Sequence, residues 1–213
     1  MTTARIVLWR HGQTDWNLEN RFQGHTDIPL NSVGKFQVEH TARILMGMNP
    51  IKILSSDLIR TRETAAALGN LSGLAIITDT GLRETNGGNW EGRTGEENRL
   101  HDRENFLAWL HGGDLPAGDV GERRSEVAAR ARKVVEREMQ NSLGTVVFVT
   151  HGGAARCLLG TLLELPFDAW GSLGGLSNAS WSVLEKNSLG KWCLVEHNAG
   201  SIPEPVFGNE SGS

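Results

Sequence analysis

The sequence has few cysteines and no long apolar run. Its two cysteines, Cys157 and Cys193, each lie among apolar neighbours, so we expect free buried thiols rather than a disulfide or a metal pair. No stretch of about 18 or more residues is apolar throughout, and the N-terminus has no cationic start followed by an apolar segment. These absences predict neither a membrane span nor a signal peptide, and therefore a soluble, cytoplasmic protein.

The sequence also lacks a strong excess of either charge. It carries 25 acidic and 21 basic side chains, a formal net charge of -4 at pH 7. This balance argues against nucleic acid or a membrane surface as a partner, so any anion site must be built locally. The spacing of His101 and His111 matches no zinc site, and we expect neither a metal nor another cofactor.

Two short apolar runs, residues 6–9 and 146–150, end abruptly in charged or polar sequence that contains His-Gly, at His11 and at His151. Such a run is typical of a buried parallel strand that carries reactive side chains at its C-terminal end. Ligands bind at that edge of open α/β sheets, so we expect both histidines to share one pocket. We expect the His11 side chain to point into solvent. Taken alone, the tripeptide Arg10-His11-Gly12 could be an ordinary strand-to-loop turn.

Strands alternate with helical segments along most of the chain. A helix is predicted from Val33 to about Gly47, capped by Asn31 or Ser32. Its four-residue spacing predicts one buried stripe formed by Phe36, His40, Ile44 and Met48. A second helix is expected to be capped within residues 55–57, with Arg60 in its first turn. A hairpin is predicted around residues 187–190.

This alternation predicts a three-layer α/β/α sandwich with a mainly parallel sheet and an antiparallel edge strand. We expect a single domain over residues 1–200, with a small helical lid inserted at about residues 90–120. We expect the seven scattered tryptophans to be core or interface residues, with Trp90 and Trp109 the only ones near the pocket entrance. Residues 201–213 contain prolines, glycines and serines and are expected to form a loosely ordered tail.

The residues around the predicted strand ends suit phosphoryl chemistry. A phosphoryl group brings about two negative charges, so its site needs guanidinium groups, imidazole and backbone N–H donors. The candidates for these contacts are Arg10, Arg60, His151 and the Gly152 amide. A neutral histidine attacks phosphorus when one ring nitrogen is free and the other is fixed by a hydrogen bond, and we assign this role to His11.

Departure of an alkoxide from phosphorus is slow unless a nearby carboxylic acid protonates it. Our candidate is Glu84, which we expect at the pocket rim on the glycine-rich loop of residues 81–88. After the alcohol leaves, the carboxylate can deprotonate the water that attacks the phosphohistidine. Glu84 could instead bridge Arg83 or cap a loop, and Arg60 could be a solvated surface charge.

Four segments occur in order: LWRHGQTDWN at residues 8–17, SSDLIR at 55–60, LRE at 82–84 and THGG at 150–153. Together they resemble the motifs of the histidine phosphatase superfamily, in its metal-independent, phosphoglycerate-mutase-like branch, over about residues 5–200. The resemblance implies a phosphohistidine at His11, phosphate contacts from Arg10, Asn17, Arg60 and His151, and proton transfer by Glu84.

Within that branch, residues 23–27 and 173–181 are most similar to actinobacterial phosphatases that act on glucosyl-3-phosphoglycerate. Gln23 and Gly24 are therefore added to the expected phosphate contacts. The mutases of the branch have a longer insertion with paired arginines, and a serine or threonine at the position of Gln23. Where relatives read Gly-Gly-Glu-Ser, residues 120–123 read VGER, which leaves the role of Glu122 open.

Three functions are compatible with these residues: a phosphatase, of narrow or broad specificity, a phosphoglycerate mutase, and a binding module that only retains the anion pocket. We favour a phosphatase, with a small phosphorylated glycerate that bears a sugar as substrate and a homodimer as a possible assembly. Residues 90–116 carry six acidic side chains and three arginines. Such a lid should repel the second phosphate that a mutase must retain.

Overall fold

A six-stranded sheet forms the centre of the protein, for which a computed structural model describes residues 4–200. The strands are β1 (Arg5–Arg10), β2 (Pro50–Ser55), β3 (Ile76–Thr78), β4 (Thr145–Thr150), β5 (Trp181–Lys186) and β6 (Trp192–Ala199). Their order is β3-β2-β4-β1-β5-β6. The first four strands run parallel, β5 is antiparallel to β1, and β6 is antiparallel to β5. The predicted mainly parallel sheet, antiparallel edge and hairpin are confirmed.

Helices cover both faces of this sheet, as the sandwich prediction requires. The helices are α1 (Asp15–Leu18), α2 (Ser32–Met46), α3 (Ile59–Ser72), α4 (Gly95–His101), α5 (Arg103–Leu110), α6 (Arg124–Met139) and α7 (Gly152–Leu162). Alternate residues of β1 enter two cores: Ile6 and Leu8 pack with α6 and α7, while Val7 and Trp9 pack with α2 and α3. All six residues of β4 are buried, because a central parallel strand is covered on both sides. In residues 4–200, no helix is long and apolar enough to cross a membrane.

The stripe predicted for α2 is wrong. Phe36 is 73% exposed and Ile44 is 40% exposed, and Met48 lies beyond the helix end. The buried face consists of Gly34, Val38, Thr41, Ala42 and Leu45. Three of these residues, Gly34, Thr41 and Ala42, are small and not strongly hydrophobic, so a pattern based on large apolar residues did not reveal this face. Asn31 is the N-cap, as predicted, and its side chain accepts from the backbone N–H of Gly34.

The capping of α3 by residues 55–57 is also wrong. The N-cap is Leu58, which makes no side-chain capping hydrogen bond. Instead, Asp27 supplies Oδ1 to the backbone N–H of Ile59 at 2.6 Å. The cap thus comes from a loop more than 30 residues earlier in the chain, and this contact ties that loop to the helix that carries Arg60.

The segment predicted to be an insertion, at about residues 90–120, contains α4 and α5 and contributes most of a small aromatic core. Trp90 is fully buried and Trp109 is 2% exposed, which agrees with the expectation that they are core residues. Their rings meet edge to face with centroids 5.5 Å apart, and Phe106 packs against Trp90 in the same manner. Such aromatic pairs stabilise the insertion beyond the simple burial of their area. The tail expected at residues 201–213 lies outside the described residues.

Candidate active site

His11 lies directly after β1, at the carboxyl edge of the sheet. Its side chain is only 3% exposed, so the expectation that it points into solvent is wrong. Its Nδ1 lies 2.7 Å from the carbonyl oxygen of Gly12. Because a carbonyl only accepts, Nδ1 carries the proton and Nε2 has the free lone pair. This arrangement is the one that a nucleophilic histidine requires.

The second strand-end histidine, His151, follows β4 and forms the N-cap of α7. It is fully buried, and its ring centroid lies 5.2 Å from that of His11. Arg60 donates its Nε–H to Nδ1 of His151 at 3.2 Å. The proton of the neutral His151 ring therefore lies on Nε2, which is 3.0 Å from the Ser56 hydroxyl oxygen. The structure therefore brings the two histidines into one pocket in opposite tautomers.

Both histidines lie in an environment that disfavours their charged form. Burial lowers the pKa of His11 well below the ordinary value of 6.5, and the positive charges of Arg60 and Arg10 lower it further. Burial also lowers the pKa of His151, with Arg60 again the largest charged contributor. Both imidazoles are therefore neutral at pH 7, as nucleophilic attack by His11 requires.

Arg60 is fully buried near the start of α3, a position where the helix dipole disfavours a cation. Besides its contact with His151, it donates from Nη1 to the Thr26 carbonyl at 2.9 Å and from Nη2 to the Gly24 carbonyl at 2.8 Å. Two of its five N–H groups remain for a ligand. Burial lowers the pKa of Arg60 to about 10, so the side chain is still charged at neutral pH. The alternative of a solvated surface arginine is wrong.

Arg10 and Asn17 are held by the loop that precedes β5. Arg10 donates Nη1 to the Leu176 carbonyl. The Oδ1 of Asn17 accepts from the backbone N–H of Thr14 at 3.0 Å and from Nδ2 of Asn178 at 3.1 Å. This fixes the orientation of the Asn17 amide and leaves its NH₂ group as a hydrogen-bond donor. Asn178 was not singled out from the sequence, although it lies in the noted stretch of residues 173–181.

The Glu84 side chain is buried against the start of α7, with an exposed fraction of 7%, and does not lie on the pocket rim as expected. Its Oε1 accepts from the backbone N–H groups of Thr85 and Ala154, at 2.8 and 2.9 Å. Its Oε2 accepts from the Gly153 N–H at 3.0 Å. The carboxylate therefore lies beside the helix that begins at His151. Arg83, the partner considered in the alternative, binds Asp57 instead.

Gln23, Gly24 and Gly152 complete the predicted set. Gln23 is 9% exposed, and its Oε1 makes no hydrogen bond within the described part of the chain. Gly24 has a φ of +50°, and a Cβ there would lie 2.0 Å from Oε1 of Glu91. Gly152 is the first residue of α7, where backbone N–H groups have no partner within the helix.

Glu91 is a further residue that the sequence did not reveal. Its carboxylate accepts from the backbone N–H groups of His25 at 2.8 Å, Thr26 at 3.0 Å and Gly87 at 3.0 Å. It thus links residues 23–26, which hold Arg60, to the loop that carries Glu84. Its carboxylate also accepts from the Thr26 hydroxyl at 2.7 Å. Sequence patterns gave no sign of this role because most of these partners are backbone groups.

The described residues provide no cluster of three or more histidine, cysteine or carboxylate side chains that could hold a metal ion. His101 and His111 are exposed. Neither Cys157 nor Cys193 forms a disulfide within the described residues, as predicted; Cys157 is buried, whereas Cys193 is only partly buried.

Known proteins are similar to this chain in sequence. The chain matches the histidine phosphatase superfamily (branch 1) over residues 6–199. It is 39% identical over 194 residues to the glucosyl-3-phosphoglycerate phosphatase of Mycobacterium tuberculosis, covering 86% of each chain. It is 36% identical over 168 residues to the probable phosphoglycerate mutase GpmB of Yersinia enterocolitica, covering 76% of each.

Solved structures agree with this result. A mycobacterial glucosyl-3-phosphoglycerate phosphatase in complex with VO3 superimposes with a TM-score of 0.86 at 39% sequence identity, covering 92% of this chain and 99% of that one. The matched range of residues 6–199 includes all four sequence motifs and both pocket histidines. The chain is an enzyme that belongs to branch 1 of the histidine phosphatase superfamily.

Proposed function

We propose that the enzyme hydrolyses phosphomonoesters through a phosphohistidine on His11. The observation that carries this proposal is the hydrogen bond from His11 Nδ1 to the Gly12 carbonyl, 2.7 Å long. It fixes the tautomer in which Nε2 is unprotonated, inside a pocket that contains Arg60 and His151. A neutral, oriented imidazole beside two arginines suits attack on a phosphoryl dianion.

In the first step, Nε2 of His11 attacks phosphorus and the bond from phosphorus to the ester oxygen breaks. Glu84 transfers its proton to that oxygen, so the product leaves as an alcohol. Arg10, Arg60, the Asn17 amide and the Gly152 N–H stabilise the phosphoryl oxygens. In the second step, the Glu84 carboxylate accepts a proton from water, which attacks the phosphohistidine. Inorganic phosphate leaves and His11 is restored.

We assign glucosyl-3-phosphoglycerate as the candidate substrate. Support comes from the mycobacterial relatives of that name at 39% and 40% identity. The buried Oε1 of Gln23, which lacks a protein partner within residues 4–200, suits a hydroxyl donor of a sugar or glycerate. The acidic lid supports the choice less strongly than expected, because Glu91, Asp102 and Asp114 are already engaged by protein N–H or O–H groups.

Phosphoglycerate mutase activity is the second candidate, favoured by the 36% identity to GpmB. To decide, the enzyme is incubated separately with glucosyl-3-phosphoglycerate and with 3-phosphoglycerate, the latter with and without the bisphosphate. We expect phosphate release from the glucosyl ester and little isomerisation. Efficient formation of 2-phosphoglycerate, stimulated by the bisphosphate, would contradict the phosphatase proposal. Similar rates on unrelated phosphomonoesters would contradict only the substrate.

The intermediate is tested by alkaline quenching during turnover and mapping of the acid-labile phosphate. We expect the label on His11, with none in a His11→Gln variant. Because His11 is buried, the folded state of that variant must be checked by circular dichroism and urea unfolding. A label on His151 instead would show that the nucleophile is wrongly assigned.

A further inference from the structure

Arg130 lies outside the set of residues assigned to phosphate, yet it binds the loop that carries Glu84. It projects from the middle of α6, and its side chain is 22% exposed. Its Nη1 donates to the carbonyls of Gly81 at 2.9 Å and Arg83 at 2.7 Å, and its Nη2 donates to the carbonyl of Glu84 at 2.8 Å. One guanidinium group therefore fixes three carbonyls of this segment to a helix.

The same guanidinium group forms a bidentate pair with Glu122, through Nε to Oε1 and Nη2 to Oε2, both at 2.8 Å. All five of its N–H groups are thereby used. Oε2 of Glu122 also accepts from the backbone N–H of Asn86 at 2.9 Å. Burial opposes ionisation of Glu122, but hydrogen bonds from Arg130 and Asn86 outweigh it and lower the pKa of the carboxyl group. The Arg130–Glu122 pair thus holds the backbone on both sides of Glu84.

The pair acts on the end of Glu84 that does not react. The carboxylate is bound by N–H groups at the start of α7, whereas the backbone carbonyl is bound by Arg130 and by Nε2–H of His25 at 2.9 Å. Proton transfer requires the carboxyl group within hydrogen-bond reach of the leaving oxygen. A displacement of about 1 Å costs on the order of 100-fold in rate.

From these contacts we infer that Arg130, paired with Glu122, is a positioning residue for proton transfer by Glu84. The inference rests on the acid role proposed for Glu84. It also gives Glu122 a role despite its altered sequence context: Gly121 is retained, and a Cβ at that position would lie 2.2 Å from the Asn86 carbonyl oxygen. The loop and the start of α6 therefore meet backbone to backbone.

The test replaces Arg130 with methionine and uses Arg132→Met as the matched control. Arg132 lies on the same helix and its side chain is 41% exposed, but it binds Glu136 one turn away and Thr161 at the C-terminal end of α7, not the loop that carries Glu84. Single-turnover formation of the phosphoenzyme is measured with an alkyl phosphate and with p-nitrophenyl phosphate. A well-placed acid matters only for the poorer leaving group, so Arg130→Met should slow the alkyl ester about 10- to 100-fold and p-nitrophenyl phosphate less than about threefold.

The control should leave both rates nearly unchanged. Equal losses on the two substrates with Arg130→Met, or no loss on the alkyl ester, would overturn the inference. If urea unfolding shows that Arg130→Met does not fold, Glu122→Gln is measured instead, because it preserves shape and weakens the bidentate pair. The same substrate-dependent loss is then expected, to a smaller degree.

A double variant separates this inference from the proposed role of Glu84. In a Glu84→Gln background, Arg130→Met should cause no further loss on the alkyl ester, because Arg130 acts through the missing acid. A further loss would show that Arg130 acts by another route and would overturn the inference alone. A Glu84→Gln variant that slows both substrates equally would overturn the acid role of Glu84, and the inference with it.

Discussion

At the scale of single residues, hydrogen-bond partners distinguish the two buried histidines. The partner of His11 Nδ1 is a carbonyl, which only accepts, whereas the partner of His151 Nδ1 is the Nε–H of Arg60, which only donates. The unprotonated Nε2 of His11 is therefore available for attack, while Nε2–H of His151 faces the Ser56 hydroxyl. Two residues with the same sequence context, His-Gly after an apolar strand, thus adopt different tautomers because their neighbours differ.

The acid role of Glu84 predicts a dependence on the leaving group. Glu84→Gln keeps the side chain's size but removes its transferable proton. Phosphoenzyme formation from an alkyl phosphate should slow by about 100-fold or more, while p-nitrophenyl phosphate should react at nearly the normal rate in that step. Rapid-quench measurement of both reactions checks this. An equal loss of rate on both esters would instead indicate a disturbed backbone at the start of α7, where the Glu84 carboxylate accepts hydrogen bonds from two N–H groups.

At the scale of elements, the sequence predicts strands better than helix faces and caps. The buried strands are recognisable in the sequence as apolar runs because both of their faces are covered. The orientation of α2 depends instead on Gly34, Thr41 and Ala42, whose small size rather than hydrophobicity permits close packing. The cap of α3 comes from Asp27, a loop residue distant in sequence. Contacts of this kind are set by the tertiary fold, and no local pattern records them.

The start of α2 offers a test of such packing. A Cβ on Gly34 would lie 2.1 Å from the Gln13 carbonyl oxygen, in the loop that follows His11. Gly34→Ala should therefore displace this loop, destabilise the protein by about 1–3 kcal/mol and lower kcat. Gly47→Ala is the matched control at the other end of the helix, where the nearest atom is 3.2 Å away and φ is -64°.

We expect the control to be neutral or to stabilise the protein by less than about 1 kcal/mol. Urea unfolding and steady-state phosphatase assays on both variants provide the measurement. Indistinguishable behaviour of the two variants would mean that the loop accommodates a methyl group, and that close packing by α2 does not position His11.

At the scale of the whole molecule, the sequence foretold the sandwich and the residues that now share a pocket, because strand ends of a parallel sheet must meet at one edge. It did not foretell how that pocket is held together. Most of the links made by Glu91 and Arg130 run to backbone N–H groups and carbonyls, which have the same chemistry at every position. The only sequence signal for Arg130 is that a charged residue lies between Val127 and Val134 on the buried side of α6.

The two neutral histidines make the stability of the whole molecule depend on pH. In the unfolded chain they bind a proton near pH 6.5, whereas in the folded protein burial and nearby arginines lower the pKa of both well below that value. The charges responsible are Arg60 and Arg10 at His11, joined at His151 by Arg130. The unfolded state therefore binds more protons as the pH falls below 6.5, and the folded state loses stability.

Above pH 6.5 both histidines are neutral in the folded and the unfolded state, so they cause no change in the free energy of unfolding with pH. Below pH 6.5 the free energy of unfolding should fall by up to about 1.4 kcal/mol per pH unit for each of them. Urea titrations at pH 7.5, 6.5 and 5.5 measure this slope. Carboxyl groups with lowered pKa, such as Asp57 and Glu122, lose their contribution only at more acidic pH, so the histidines dominate this window. A double His11→Gln, His151→Gln variant should show a flatter profile. An unchanged free energy of unfolding between pH 7.5 and 5.5 in the unmodified enzyme would contradict the buried neutral pair, and NMR titration of the imidazole nitrogens would identify which ring takes up the proton.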